Sequence, residues 1–297
     1  MSGHQKKPDW FRIRYQKNEQ SEKVSGLMER LHLNSVCQSA HCPNRPECWG
    51  EGTASFMILG EYCTRGCRFC AVKTRNNPPP PDPEEPGHLA NAVSSLNLKY
   101  VVITSVTRDD LEDGGAAHFS ECVSQVRKKN PGTLVETLIP DFGGRESPLK
   151  TVADSEPDVI SHNVETVERL IPGVRDARAG YRSSLGVLRN ARGISNGRII
   201  TKSGLMVGLG EAGEEVRKTM MDLLDAGVEI LTIGQYLRPT PRHLPVEEFV
   251  APQKFSDYRQ MAYGLGFRYV ASGPLVRSSY KAGEPFIKNL LHSRISR

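Results

Sequence analysis

Cys63-Thr64-Arg65-Gly66-Cys67-Arg68-Phe69-Cys70 places three thiols within eight residues, spaced C-x₃-C-x₂-C. An iron–sulfur cluster takes Cys thiolates as ligands and is normally held by four of them. Three donors from one loop therefore leave one iron open to an outside ligand. Gly66 lets the backbone curl so that the sulfurs converge, and Arg65 and Arg68 set positive charge beside them, which favours thiolate over thiol. Zinc also takes thiolates, so a zinc loop is the competing reading. Zinc sites usually pair C-x₂-C knuckles to reach four ligands, and the spacing here favours the cluster. A second trio, Cys37, Cys42 and Cys48, precedes the first with the spacing C-x₄-C-x₅-C, and it too is one ligand short. His41 lies inside it, either as a metal ligand or as a hydrogen-bonding neighbour. The seventh cysteine, Cys122, falls in the helical pattern HFSECVSQVRKK and reads as core packing rather than as a fourth ligand.

The surrounding pattern shows what positions these groups. Val24, Leu27, Met28 and Leu31 recur at helical spacing, which predicts an amphipathic helix over 21–32. Apolar runs predict strands at Ala54–Leu59, Lys99–Ser105, Leu134–Ile139, Asp158–His162, within Arg198–Val207, at Val228–Ile233 and at Phe267–Ala271. Helical patterns separate them, at 83–97, 115–129, 213–226 and 254–265. Strands alternating with helices predict an α/β fold with a parallel sheet, a partial (β/α)₆-type barrel related to the eightfold design. Chemistry in that design belongs at the C-terminal strand ends, and Cys63 follows the end of the first strand. Three regions are expected: an N-terminal extension over 1–50 with the second trio, the partial barrel over 51–272, and a C-terminal extension over 273–297. Residues 1–19, with Trp10, Phe11 and Tyr15, read as an arm across the body. Pro78–Pro81 reads as a stiff polyproline II connector or a partner-binding ligand.

The chain has 297 residues, 38% hydrophobic and 25% charged, an ordinary globular balance. No apolar run approaches the ~20 residues of a membrane span, and MSGHQKKPDWFRIRYQ lacks the apolar core of a secretory signal. Seven cysteines without an export signal predict a reducing compartment, the cytoplasm, rather than a disulfide framework. A net charge of +5 suits an acidic protein partner or an anionic cofactor, and is too scattered to point to nucleic acid.

With an aromatic residue before its last cysteine, C-x₃-C-x₂-C resembles the signature of the radical S-adenosylmethionine superfamily. The resemblance implies a [4Fe-4S] cluster on Cys63, Cys67 and Cys70, its open iron chelated by the amino and carboxylate groups of S-adenosylmethionine. Reductive cleavage of that cofactor then gives a 5′-deoxyadenosyl radical. Such a cofactor needs acceptors for its amino group and ribose and a cation for its carboxylate. The strand ends offer Ser105 and Asp109, Glu136, Asn163 and, shortly after, Arg175. Asn163 serves equally well as a helix N-cap. Glu136, on the apolar strand LVETLI, needs a partner or a task. Gly114-Gly115 resembles the superfamily stretch that cradles the methionine amino group, and a turn at a helix start explains it as well. Gly208-Leu209-Gly210-Glu211 is not a dinucleotide fingerprint, because Glu214 stands where the third glycine would be.

Both trios together with Arg277-Ser278-Ser279-Tyr280 are similar to the lipoyl synthase family. That resemblance implies that Cys37, Cys42 and Cys48 hold an auxiliary [4Fe-4S] cluster with Ser279 as its fourth ligand. From the residues alone, Ser278 and Ser279 equally form a turn or a cap. A serine oxygen is a poor match to a soft-ligand site, which makes sense for a cluster meant to come apart. The implied reaction inserts sulfur at C6 and C8 of an octanoyl chain on a lysine of a lipoyl carrier protein. It uses two S-adenosylmethionine molecules and consumes the auxiliary cluster. The implied partners are the octanoylated carrier (a glycine cleavage H protein or a lipoyl domain of a 2-oxoacid dehydrogenase), an electron donor such as flavodoxin or ferredoxin, and an iron–sulfur carrier that rebuilds the cluster. Neither nucleic acid nor membrane is among them. Competing readings are another sulfur-inserting enzyme of the superfamily, of the biotin synthase or methylthiotransferase type, or a zinc-stabilised binding module.

Overall fold

The computed structural model describes residues 7–11, 19–51, 54–279 and 287. Most of the 1–19 arm, Tyr280 and the C-terminal extension other than 273–279 and 287 lie outside them. Ten strands are present among the described residues: β1 (Asn34–Ser35), β2 (Ser55–Ile58), β3 (Tyr62–Cys63), β4 (Lys73–Thr74), β5 (Tyr100–Ser105), β6 (Leu134–Leu138), β7 (Val159–Ser161), β8 (Ile200–Val207), β9 (Ile230–Gln235) and β10 (Tyr269–Gly273). The helices used below are α1 (Glu19–Arg30), α2 (Val36–Ser39), α3 (Arg45–Gly50), α4 (Glu85–Ser95), α5 (Ala116–Lys129), α6 (Glu146–Asp154), α7 (Ile171–Val174), α8 (Tyr181–Ile194), α9 (Gly213–Asp225) and α10 (Pro252–Leu265).

One sheet runs in the order β1-β2-β5-β6-β7-β8-β9-β10. Every neighbouring pair in it is parallel except β1 with β2. Chain-adjacent parallel strands need a crossover, and helices supply it between β5 and β6, β6 and β7, β7 and β8, β8 and β9, and β9 and β10. The central strands are buried on both faces, which is why YVVITS and ILTIGQ read as near-continuous β-branched runs. No ladder among the described residues joins β10 to β1, so the sheet curls into a barrel that stays open along one seam. The expected partial barrel is present, with seven parallel strands and a two-residue antiparallel edge that is too short to carry a periodicity.

Residues paired in register on parallel strands share a face. One such row is Val102, Glu136, Val159 and Ile200; the next is Thr104, Leu138, Ser161, Lys202, Ile230 and Tyr269. These two rows face the lumen. Glu136 and Lys202 meet there with both carboxylate oxygens 2.7–2.8 Å from Nζ, and both side chains are essentially inaccessible, at 0% and 1%. Ser161 and Tyr100 also donate to that carboxylate. Ile287 packs against Val159, Ile200 and Ile230, so the chain's last described residue closes the lumen at the strand starts. Outside the sheet, the helices bury an apolar layer that runs without a break from α1 (Val24, Leu27, Met28) into β2 and α5.

Candidate functional site

The first trio sits where the chain leaves β3, and four loops from the C-terminal strand ends hold it. Thr64 N donates to Thr107 O at 2.9 Å in the β5 loop. Arg65 reaches two carboxylates at once: Nε and Nη2 grip Asp109 at 2.9 and 2.8 Å, while Nη1 and Nη2 grip Asp141 in the β6 loop at 2.7 Å each. Arg68 N donates to Val174 O at 2.9 Å, and Gly66 N donates to the Asp176 carboxylate at 2.8 Å, both in the β7 loop. His243, in the β9 loop, contacts Cys70 O at 3.0 Å, and Leu244 N donates to Arg68 O. Phe69, the aromatic of the motif, packs beside Val174, Leu209 and Tyr236. The loop is thus clamped from four sides and presents its sulfurs inward.

Arg65 has a different role from the one its charge suggests. Burial pushes the Asp109 and Asp141 carboxyls up, and the guanidinium more than reverses this, leaving both below the usual carboxylate range. Its charge is therefore spent on two aspartates and does not activate the thiols. Burial instead drives the thiols toward protonation. It raises Cys67, pushes Cys70 up to about 12 with help from the neighbouring sulfurs, and does the same to Cys42 and Cys48, the latter also to about 12. At neutral pH such sulfurs become thiolates only when a positive centre binds them directly.

Within each trio the sulfurs act on one another's charge: Cys42 with Cys37, Cys48 with both, and Cys70 with Cys67 and Cys63. Yet among the described residues no three His, Cys, Asp or Glu side chains are placed to hold a metal ion. Thiolates on one zinc at ~2.3 Å each must nearly touch, whereas a cluster takes one thiolate per iron and tolerates a wider spread. Backbone amides also point at the sulfurs. Arg65 N and Thr107 N donate to Cys63 Sγ at 3.4 Å, and Asp176 N to Cys67 Sγ at 3.3 Å. N–H donors aimed at grouped thiols suit thiolate ligands of a cluster. Cys122 is fully buried in α5, as packing predicts, and His41 is exposed.

The polar candidates separate. Arg175 lies after α7, where its charge acts on Cys67, and Nη1 donates to Ser184 Oγ at 2.8 Å. Ser184 in turn meets His162 Nε2 at 2.9 Å, and His162 Nδ1 meets Ile139 O at 2.9 Å. The Ile139 carbonyl can only accept, so the neutral imidazole carries its proton on Nδ1, and Ser184 Oγ, accepting from Arg175, donates to Nε2. Asn163 is no helix cap: its Nδ2 donates to Ser278 Oγ at 2.8 Å, and its Oδ1 leans over Gly204, where a Cβ would collide with it. Ser105 Oγ is buried without a partner among the described residues, as is Arg175 Nε. Glu136 departs from expectation. Lys202, Ser161 and Tyr100 consume its oxygens inside the lumen, so it leaves no acceptor for a cofactor. Glu165, which the sequence did not single out, comes to the same place as Arg175 and Asn163. Its backbone is left-handed (φ 71°), burial pushes its carboxyl above the ordinary range, and its charge reaches Cys67 and Cys70. Gly114 and Gly115 are both left-handed, at φ 64° and 89°, and Asp113 caps the start of α5 through Gly115 N and Ala117 N, so the turn reading accounts for the pair.

The second trio occupies α2, α3 and the turn between them, directly after β1 at the open seam. Ser35 Oγ accepts from Cys37 N at 3.1 Å and starts α2. From the other edge of the seam, the segment leaving β10 comes to meet it: Asn44 Nδ2 donates to Leu275 O at 2.6 Å, and the Arg277 charge acts on Cys42. Ser279 follows Arg277 by two residues and is half-buried. Two surface concavities, one bounded by Arg127, Asp158 and Arg198 and the other by Tyr181, Arg189 and Lys218, contain none of these residues. Among the described residues no helix is long and apolar enough to cross a membrane.

Comparison with known proteins fits this arrangement. A family profile described as the radical SAM superfamily matches residues 57–223. Lipoyl synthase from Anaeromyxobacter dehalogenans (strain 2CP-C) is 54% identical over 289 residues, 97% of this chain and 98% of that one. The Myxococcus xanthus (strain DK1622) lipoyl synthase is 53% identical over 96% of this chain and 95% of its own. The chloroplastic lipoyl synthase 1 of Populus trichocarpa is 52% identical over 98% of this chain and 78% of its own. Among solved structures, methylornithine synthase superposes with a TM-score of 0.52 at 15% identity, covering 88% of both chains. The FeFe-hydrogenase maturase HydG from Carboxydothermus hydrogenoformans gives 0.56 at 12% identity, covering 90% of this chain and 78% of its own. These two share the fold.

Proposed function

The chain belongs to the lipoyl synthase family of the radical S-adenosylmethionine superfamily, and from that premise we propose that it inserts two sulfur atoms, at C6 and C8, into an octanoyl chain carried on a lysine of a lipoyl carrier protein. The single observation that carries this reading is the pair of three-thiol sets, one clamped at the mouth of the barrel and one at its seam, each a donor short of a complete cluster. In this reading Cys63, Cys67 and Cys70 hold a [4Fe-4S] cluster that binds S-adenosylmethionine, and Cys37, Cys42, Cys48 and Ser279 hold the auxiliary one. When bound, the first cluster and its cofactor supply a carbon radical able to break unactivated C–H bonds, and the second supplies sulfur.

The chain's own residues do the positioning. Arg175, held by Ser184 and through it by His162, presents a cation to the cofactor carboxylate. Asn163, Glu165 and Ser105 offer the acceptors that an amino group and ribose hydroxyls require. The Arg65–Asp109–Asp141 fork fixes the cluster loop against movement during turnover. Electrons come from a flavodoxin- or ferredoxin-type donor, and an iron–sulfur carrier rebuilds the second site.

Anaerobic incubation with reductant, S-adenosylmethionine and an octanoylated carrier, read by intact mass, tests the proposal. A gain of two sulfurs with no net loss of hydrogen, the dithiol product, is expected under reductant, and two hydrogens are lost only on later oxidation to the cyclic disulfide. Cofactor cleavage without sulfur gain would leave the superfamily and overturn the reaction.

A further inference from the structure

Leu59 is where the chain leaves β2 for the cluster loop, and its backbone is left-handed, with φ at 69°. A residue with a bulky side chain holds that conformation only where its surroundings over-determine it. Here both of its peptide groups are gripped. Leu59 N donates to the Glu85 carboxylate at 2.8 Å, and Leu59 O accepts from Arg108 Nη1 at 3.2 Å. Glu85 starts α4 and Arg108 lies in the β5 loop, 4% and 1% exposed. Each is fixed by a second partner: His118 Nε2 meets the same Glu85 oxygen at 2.7 Å, and Asp110 takes the Arg108 fork at 2.8 and 2.7 Å. The Leu59 side chain fills a slot that Gly115 leaves open, since a Cβ there would stand 2.4 Å from Leu59 Cδ1.

The segment that grips Leu59 also grips the first cysteine of the loop. Thr107 N donates to Cys63 Sγ at 3.4 Å, and Thr107 O accepts from Thr64 N at 2.9 Å. Asp109 accepts from Thr64 Oγ1 and Arg65 Nε at 3.0 and 2.9 Å. Leu59 and Cys63 are therefore both referred to Thr107, Arg108 and Asp109, which fixes one against the other. A bare turn needs only glycine, as the next residue, Gly60 at φ 90°, shows. Two buried charged side chains and a slot are more than a turn requires. We propose that Glu85 and Arg108 are positioning residues for the cluster on Cys63, Cys67 and Cys70: by locking Leu59 they set where Cys63 stands, and with it how the cluster faces Arg175 and Asn163. Both act through the Leu59 backbone rather than on the cofactor. The proposal rests on the radical S-adenosylmethionine reading above.

The test uses the full chain as the parent, Glu85→Leu, Glu85→Gln, Leu59→Gly and Leu149→Ala. Glutamine keeps an acceptor for Leu59 N, and Leu149→Ala empties a core position of α6 as a destabilised control. Hydrogen exchange of amides 59–63 is followed in metal-free protein. In protein loaded anaerobically, two readouts are taken: the change that S-adenosylmethionine makes in the electron paramagnetic resonance of the reduced cluster, and the rate of 5′-deoxyadenosine formation. Glu85→Leu at parental iron content should exchange those amides faster and lose most of the cofactor-induced spectral change. Its deoxyadenosine formation should slow about 100-fold, the scale of an ångström-sized misplacement. Glu85→Gln should stay close to parent, and Leu149→Ala should melt lower yet keep the spectral change. If Glu85→Leu does not load, Leu59→Gly decides, because glycine takes the turn without strain while the slot empties and the joint loosens; the same losses are expected in it. Parental spectra and cleavage in the deciding variant, or equal losses in Leu149→Ala, would overturn the proposal and leave the cluster reading intact. A parent whose spectrum ignores S-adenosylmethionine would end that reading, and the positioning role with it.

Discussion

Glu136→Gln is the most informative single change in the lumen. It removes the charge opposite Lys202 and leaves that ammonium at 1% exposure facing an amide. Breaking one side of a buried ion pair costs about 3–5 kcal/mol, because the remaining charge stays desolvated and unanswered. That is a large share of the roughly 5–15 kcal/mol that separates folded from unfolded domains. At about 2–4 °C per kcal/mol for chains near this size, the melting temperature should fall by roughly 6–20 °C. Circular dichroism melts of equally loaded parent and variant at neutral pH measure it. A Glu136→Met/Lys202→Met double variant, which removes both charges, should recover most of the loss. A Glu136→Gln protein that melts within about 2 °C of parent but binds S-adenosylmethionine weakly would refute the reasoning. Glu136 would then be a cofactor ligand after all.

Other outcomes follow from the same geometry. Burial, with Arg175 nearby, lowers the His162 imidazole from 6.5 to about 4, so between those values the unfolded chain takes up a proton that the folded chain refuses. Its contribution is therefore fully present above pH 6.5 and falls by about 3 kcal/mol as the pH drops to 4; His162→Gln should flatten that decline in pH-dependent urea melts, and an unchanged slope would count against it. Arg175→Gln should weaken S-adenosylmethionine binding about 10–100-fold, and Ser184→Ala, which frees the guanidinium from its support, about fivefold; equilibrium dialysis that finds both near parent would sever Arg175 from the cofactor. Gly234→Ala should push the β10 exit segment off the seam and cut iron from about eight to about four per chain, and full iron content would show that the segment is dispensable for loading.

The sequence made the regular part of the molecule readable. KYVVITS and LVETLI announce buried parallel strands through β-branched runs, and the two cysteine spacings mark, without any fold, where thiolate ligation is expected. What it hid depends on distance along the chain. Arg65 reads as a thiol activator until Asp109 and Asp141, 44 and 76 residues later, arrive to take its charge. Glu165 sits two residues after Asn163, and only the left-handed backbone turns it toward the sulfurs. Glu136 was recognisable as a carboxylate in need of a partner, but nothing local points to Lys202, 66 residues on. The two-residue strands β1, β3 and β4 carry too few side chains for any alternation to show.

The hydrogen bond between Asn44 and Leu275 spans 231 residues of chain. During synthesis the first cysteine set leaves the ribosome long before the segment that will close over it exists. The barrel walls between them are made in the interval, each strand able to pair with the one before it. The seam can therefore be stitched only after all the strands of the barrel have been made, and iron delivered to Cys37, Cys42 and Cys48 before that moment would meet an unfinished wall. Topology alone sets the order of assembly: barrel strands first, the seam beside the second cysteine set afterwards.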